Sequence, residues 1–198
     1  DTEGTITATT LTDITAQTNG TVTAAAAGIT ISGNTTQLTA ALVTEETKAV
    51  VANGAVSISD TGNVAATVLS GIGATTGGVV TAANALTITG TTEEITNALV
   101  TESSLVVASN GSSAVTFVGD NPTGAQLAAI NPKVSGTITL ADVTQVFTGT
   151  AAQMQAAFSG GLAGTQTGAV TISDTEGTIT ATTLTDITAQ TNGTVTAA

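Results

Sequence analysis

The residues of this chain whose types suit them to chemistry are carboxylates and hydroxyls. Asp60, Asp142 and Asp174 each close a short apolar and hydroxyl alternation, VSISD, ITLAD and VTISD. Carboxylate oxygens of this kind hold Ca²⁺, but neither EF-hand spacing nor a Gly-Gly-x-Gly-x-Asp repeat surrounds them. Solvated turns are the expected role, with Ca²⁺ at the Asp corners as the weaker alternative. Glu45 with Glu46, and Glu93 with Glu94, are paired acids. Adjacent carboxylates make no acid–base pair without a cleft, and a helix start that favours negative charge accounts for Glu93 and Glu94. Cys, His, Trp and Tyr are absent, which removes thiol nucleophiles, imidazole bases and the usual zinc ligands. No catalytic, cofactor-binding or metal-binding residue is assigned, and the chain is expected not to be an enzyme.

Hydroxyls offer a second chemistry. Thr30, Ser57, Thr87, Thr116, Thr139 and Thr171 occupy the second place of six similar phrases, and Ser32, Ser59, Thr89 and Ser173 add a second row that Val118 and Ala141 break. Regular Thr-x-Thr ladders resemble those of ice-binding proteins. The plainer reading is that Thr is a polar residue favouring strands, whose hydroxyls hydrogen-bond along a sheet. Asn-x-Ser/Thr triplets at Asn19, Asn34, Asn110 and Asn192 arise readily in so Thr-rich a chain.

Charge narrows the partners. Lys48 and Lys133 are the only basic residues, and the net charge is -12. Nucleic acid and anionic lipid are bound mainly through Lys and Arg, so neither is expected to bind. No apolar run is long enough to span a bilayer, and no membrane insertion is expected in this segment.

The elements that position these residues follow from repetition. DTEGTITATTLTDITAQTNGTVTAA occurs at residues 1–25 and again at 174–198, a period of 173 residues. The chain reads as one continuous segment, with one repeat over 1–173 and the start of the next over 174–198, any targeting segment lying outside it. Within the period, ITISG, VSISD, LTITG, VTFVG, ITLAD and VTISD begin at Ile29, Val56, Leu86, Val115, Ile138 and Val170. Their first and third residues are apolar, which on a strand faces them inward and turns the hydroxyls outward. The fifth residue is Gly33, Asp60, Gly90, Gly119, Asp142 or Asp174, a type that tolerates a tight corner.

After the corner the period changes. Leu38, Ala41 and Leu42, then Ile95, Ala98 and Leu99, then Met154, Ala157 and Phe158 fall at helical spacing, with Leu127 and Ile130, and Leu184 and Ile187, as shorter forms. Asn34 with Gln37, Thr91 with Glu94, Thr123 with Gln126 and Thr150 with Gln153 match the capping box, and Asn131-Pro132 marks a helix exit. β-branched residues return at Val50 and Val51, Val79 and Val80, Leu105 to Val107, and Val195, with Asn53-Gly54 and Asn110-Gly111 as corners. Stacked units would share a core that none could build alone. The expected fold is a repeat solenoid, mainly β with short helices, its parallel strands stacked in about six coils per repeat, each strand, strand, short helix. A β-sandwich array is the competitor, but it wants larger core residues and hairpin spacing.

VTISDTEGTITATTLTDI, GTVTAA and TITGTTEEITNALVT together resemble the tandem units of giant bacterial cell-surface proteins, such as those cyanobacteria require for non-flagellar swimming. The resemblance covers the whole chain and implies an extracellular, structural, noncatalytic role, with no functional residue to carry over. The expected function is that of a long surface stalk, filament or layer serving motility, adhesion or matrix, partnered by neighbouring identical repeats and an unassigned surface or glycan ligand. The alternative is an adhesin or ice-binding array that uses the hydroxyl ladder. A polysaccharide-active enzyme is opposed by the scarcity of aromatic platforms.

Overall fold

A computed structural model describes residues 3–24, 26–44, 49–101, 106–108, 113–174 and 178–197. Each helix is entered from a strand or a short connector. β1 (Glu3–Thr7) runs into α1 (Ala8–Ala16), and β2 (Val22–Thr23) and β3 (Gly28–Gly33) lead to α2 (Thr35–Leu38), prolonged by a π-helical turn over Thr39–Val43. β4 (Ala49–Val50), β5 (Ala55–Ile58) and β6 (Gly62–Ala65) precede α3 (Ala66–Gly73), and β7 (Val80–Ala82) and β8 (Leu86–Gly90) precede α4 (Thr92–Leu99). β9 (Val106–Val107) and β10 (Ala114–Phe117) lead to α5 (Gly124–Ile130), which closes in a 3-10 turn over Asn131–Lys133. β11 (Ile138–Thr139) and β12 (Phe147–Gly149) precede α6 (Ala151–Phe158), and β13 (Val170–Ile172), α7 (Ala181–Thr188) and β14 (Val195–Ala197) complete the order.

The alternation of apolar and hydroxyl residues sets which way the strands face. Ile31, Val56, Ile58, Ile88, Val115, Val170 and Ile172 are buried, while Thr30, Ser57, Thr87, Thr116 and Thr171 between them are half-buried. Strand pairing is parallel throughout. Ile6 pairs with Ile31 and Ile31 with Val56, and the stretch between each pair holds one helix, the crossover that parallel neighbours need. Leu38, Leu69, Ile95, Leu127 and Met154 bring the helices onto the same core. Phe147 and Phe158, an edge-to-face pair with ring centroids 5.4 Å apart, are its largest paired side chains.

This arrangement corrects the expected repeat solenoid. The chain is an α/β fold with several parallel sheets and, among the described residues, seven α-helices. The strands divide into a five-stranded sheet ordered β1-β3-β5-β7-β9, a four-stranded sheet β11-β10-β8-β6, a three-stranded sheet β12-β13-β14 and the pair β2-β4. The cause is visible between α2 and α3, where three strands occupy a connection that elsewhere holds two or fewer. β5 therefore pairs onward with β7, while β8, which carries the matching phrase LTITG, pairs with β6 and β10. Phrases that look alike thus sit in different sheets.

The corner residues also differ from expectation. Of the expected Gly corners, Gly119 alone has a left-handed φ, at 87°. Gly33 and Gly90 are small for a packing reason: a Cβ on Gly33 would stand 3.0 Å from the Ala8 methyl, and one on Gly90 would stand 3.2 Å from that of Ala66. Glu45, Glu46, Lys48, Leu105, Asn110 and Gly111 lie outside the described residues.

Candidate functional site

The carboxylates and the helix starts meet. All four expected capping boxes form: Asn34 with Gln37, Thr91 with Glu94, Thr123 with Gln126 and Thr150 with Gln153 each exchange side-chain and backbone hydrogen bonds. In the second of these, the Glu94 carboxylate accepts from the Thr91 N–H at 2.9 Å. A box satisfies two of the orphan amides at a helix start and leaves the N1 amide free.

Three of those N1 amides are taken by acids from further along the chain. Asp60 accepts from the Thr35 N–H at 2.6 Å and from its Oγ1–H at 2.9 Å; Asp120 accepts from the Thr92 N–H at 2.8 Å; Asp174 accepts from the Ala151 N–H at 2.6 Å. The acid also sits at the positive end of the helix dipole. Asp60 and Asp174 are therefore not solvated turns but caps on a helix in the preceding layer.

Asp120 is the residue the sequence reading missed. The fifth place of VTFVG holds Gly119, and the acid stands one position later. Its signal was the recurring interval: Asp60, Asp120 and Asp174 follow the amides they cap by 25, 28 and 23 residues.

Asp142 behaves differently. Its Oδ1 accepts from the Thr144 Oγ1–H at 2.7 Å and from the Thr144 N–H at 2.8 Å, a local turn. These two bonds, the side-chain one foremost, hold its carboxyl below the ordinary aspartate value. Layers are joined here by Asn121 instead, whose amide donates to the Asp142 carbonyl at 2.7 Å and accepts from the Ala141 N–H at 2.7 Å. Asn84 makes a similar tie to the Ser59 carbonyl at 2.9 Å. Among the described residues no three acidic, His or Cys side chains converge on a point that would hold a metal ion.

The hydroxyls form several short rows in place of the expected single column. Thr7, Ser32, Ser57 and Thr81 stand side by side and end at Val107; Thr89, Thr116 and Thr139 form a second row after Ala65; Thr148, Thr171 and Thr196 form a third. Ala55 stands beside Thr30, and Ala114 beside Thr87. A concavity of about 280 Å³ between α5 and α6 is lined by residues including Asn131, Pro132, Ser135 and Ser159, and no acid or base borders it.

No protein-family model matches the sequence, and no curated protein and no solved structure matches it.

Proposed function

We propose that this chain is a noncatalytic structural repeat of an extracellular cell-surface protein, one length of a stalk, filament or layer that serves motility, adhesion or matrix formation. The observation that carries this reading is the reuse of one packing design. Helix after helix is tied to the next layer through its own start, with Asp60, Asp120 and Asp174 in equivalent roles. Side chains that a binding or catalytic site would expose are spent on holding layers together. The resemblance to giant bacterial surface proteins supports the same reading, as does an acidic chain with few groups open to oxidation or cross-linking. Neighbouring identical repeats are its proposed partners. The broken hydroxyl rows weigh against an ice-binding or flat adhesive face, which needs a long regular ladder.

The test is surface labelling of intact cells that produce the protein, using an antibody raised against this chain. Labelling of intact cells that mild external protease removes is the expected result. Signal that appears only after lysis would overturn the extracellular reading.

A further inference from the structure

The same 25 residues are seen twice in this chain, and they bury opposite faces. In the first copy Ala8, Leu11 and Thr15 are buried, Leu11 at 1% exposure, where α1 packs against α2 and its π-helical turn; Ile14 is 46% exposed. In the second copy the equivalent Ala181, Leu184 and Thr188 are exposed, Leu184 at 39%, while Ile187 is fully buried where α7 packs against α6. The local structure is the same in both. Thr7 and Thr180 cap their helices at φ, ψ of -74°, 147° and -73°, 151°, accepting from the Thr10 and Thr183 amides.

Strand edges follow the same logic. Val22 of β2 pairs with Ala49 on one side, whereas the equivalent Val195 of β14 pairs with Val170 on the other. The first copy therefore displays what covers the open face of the second: β3, α2 with its π-helical turn, and β4.

We propose that the open face of α7, with Ala181, Leu184 and Thr188, and the free edge of β14 form a docking surface for a second copy of this chain. The surface takes the seat on that copy's β3, α2 and β4 that its own residues 1–25 occupy. Because the incoming and resident segments are identical in sequence, the exchange replaces each contact with its equal. It is a head-to-tail domain swap, and such a heterologous contact propagates into an open filament unless its rotation closes a ring. This inference deepens the proposed stacking of identical repeats and names the surface that performs it; it does not depend on where the protein resides.

Sedimentation velocity on the intact chain over a wide concentration range tests it. The wild type should show mass rising with concentration. Leu184→Asp should abolish the rise or move it at least about tenfold higher in concentration, and the milder Leu184→Ala should move it in the same direction. Leu11→Asp, which loosens the resident segment and opens the seat, should bring assembly to lower concentration, with circular dichroism checking that the rest of the chain stays folded. Ile14→Asp should leave assembly unchanged. A wild type that stays monomeric throughout would overturn the proposal. So would Ile14→Asp acting as strongly as Leu184→Asp, because that result means α7 stacks end-on against an undisplaced α1. Either failure leaves surface labelling of cells unaffected, so the two readings are judged separately.

Discussion

The Asp60 carboxylate accepts two hydrogen bonds from Thr35, at 2.6 Å from its N–H and 2.9 Å from its Oγ1–H, across 25 positions of sequence. Thr35 is the first residue of α2 and Asp60 follows β5, so this contact joins the start of one helix to the end of the next strand in the five-stranded sheet. It completes the capping that Asn34 and Gln37 begin. The tie also sets the height of one layer against the other, because both oxygens must meet donors fixed to one residue.

Asp60→Ala should lower stability by about 1 to 3 kcal/mol in denaturant unfolding, the range for a charge-assisted bond whose donor is left unpaired. Thr35→Val removes the hydroxyl donor but keeps the amide, and should cost less. A double-mutant cycle should show coupling of about 0.5 kcal/mol or more. Additive losses would mean that the two residues act separately.

The register of the strands gives a second contrast. Ile58 is fully buried and Ser57 beside it is half-buried. Ile58→Asp places a charge in the core with no partner and should cost several kcal/mol. Ser57→Asp turns its charge toward the solvent side of the sheet and should cost less than about 1 kcal/mol. Thermal unfolding that ranked the two variants equal would contradict the inward and outward assignment.

What the sequence disclosed, and what it withheld, follows from the range of the interactions. Capping boxes are legible because donor and acceptor lie three residues apart, and all four form between the expected partners. Strand faces are legible because period two needs only the next residue. Sheet membership is not local. Nothing in VSISD or LTITG says that β5 pairs with β7 while β8 pairs with β6, since that depends on the extra strand in the connection between α2 and α3. The single hydroxyl column and the stacked-coil fold both failed on that point. The role of Asp60, Asp120 and Asp174 was hidden for the same reason, since a cap supplied from the next layer has no short-range signature.

Asp142 makes a pH prediction with a definite sign. Its carboxyl is held below the usual aspartate value by the Thr144 hydroxyl and amide. A carboxyl whose folded value is depressed adds stability above its unfolded pKa, and that contribution disappears as pH falls through the lower folded value. Because the group is exposed, water screens the effect on global stability, and the site itself is the better reporter. NMR titration should place Asp142 below the ordinary value of about 3.9. Thr144→Val removes the larger of the two causes and should move it upward; an unchanged midpoint would refute the assignment.

Gly20 and Gly193 occupy the same place in the two identical segments, yet their surroundings differ. A Cβ on Gly193 would collide with the Gly168 carbonyl beneath it, whereas one on Gly20 would meet only the Thr18 Oγ1, at an ordinary 3.6 Å. The difference arises because the corner 191–193 rests on an earlier layer, fixed by the Thr191 Oγ1–H donating to the Gly168 carbonyl at 2.7 Å. Gly193→Ala should therefore cost about 1 to 3 kcal/mol locally, since backbone yields less readily than a side chain. Gly20→Ala should be neutral or stabilise by up to about 1 kcal/mol, through the lower entropy of the unfolded chain. Amide hydrogen exchange is the suitable measurement, because end segments open without global unfolding. Protection of the β14 amides should fall in Gly193→Ala, and protection around β2 should hold in Gly20→Ala. Equal losses in the two variants would mean that the glycine is required by the 25-residue segment itself and not by the layer on which the second copy rests.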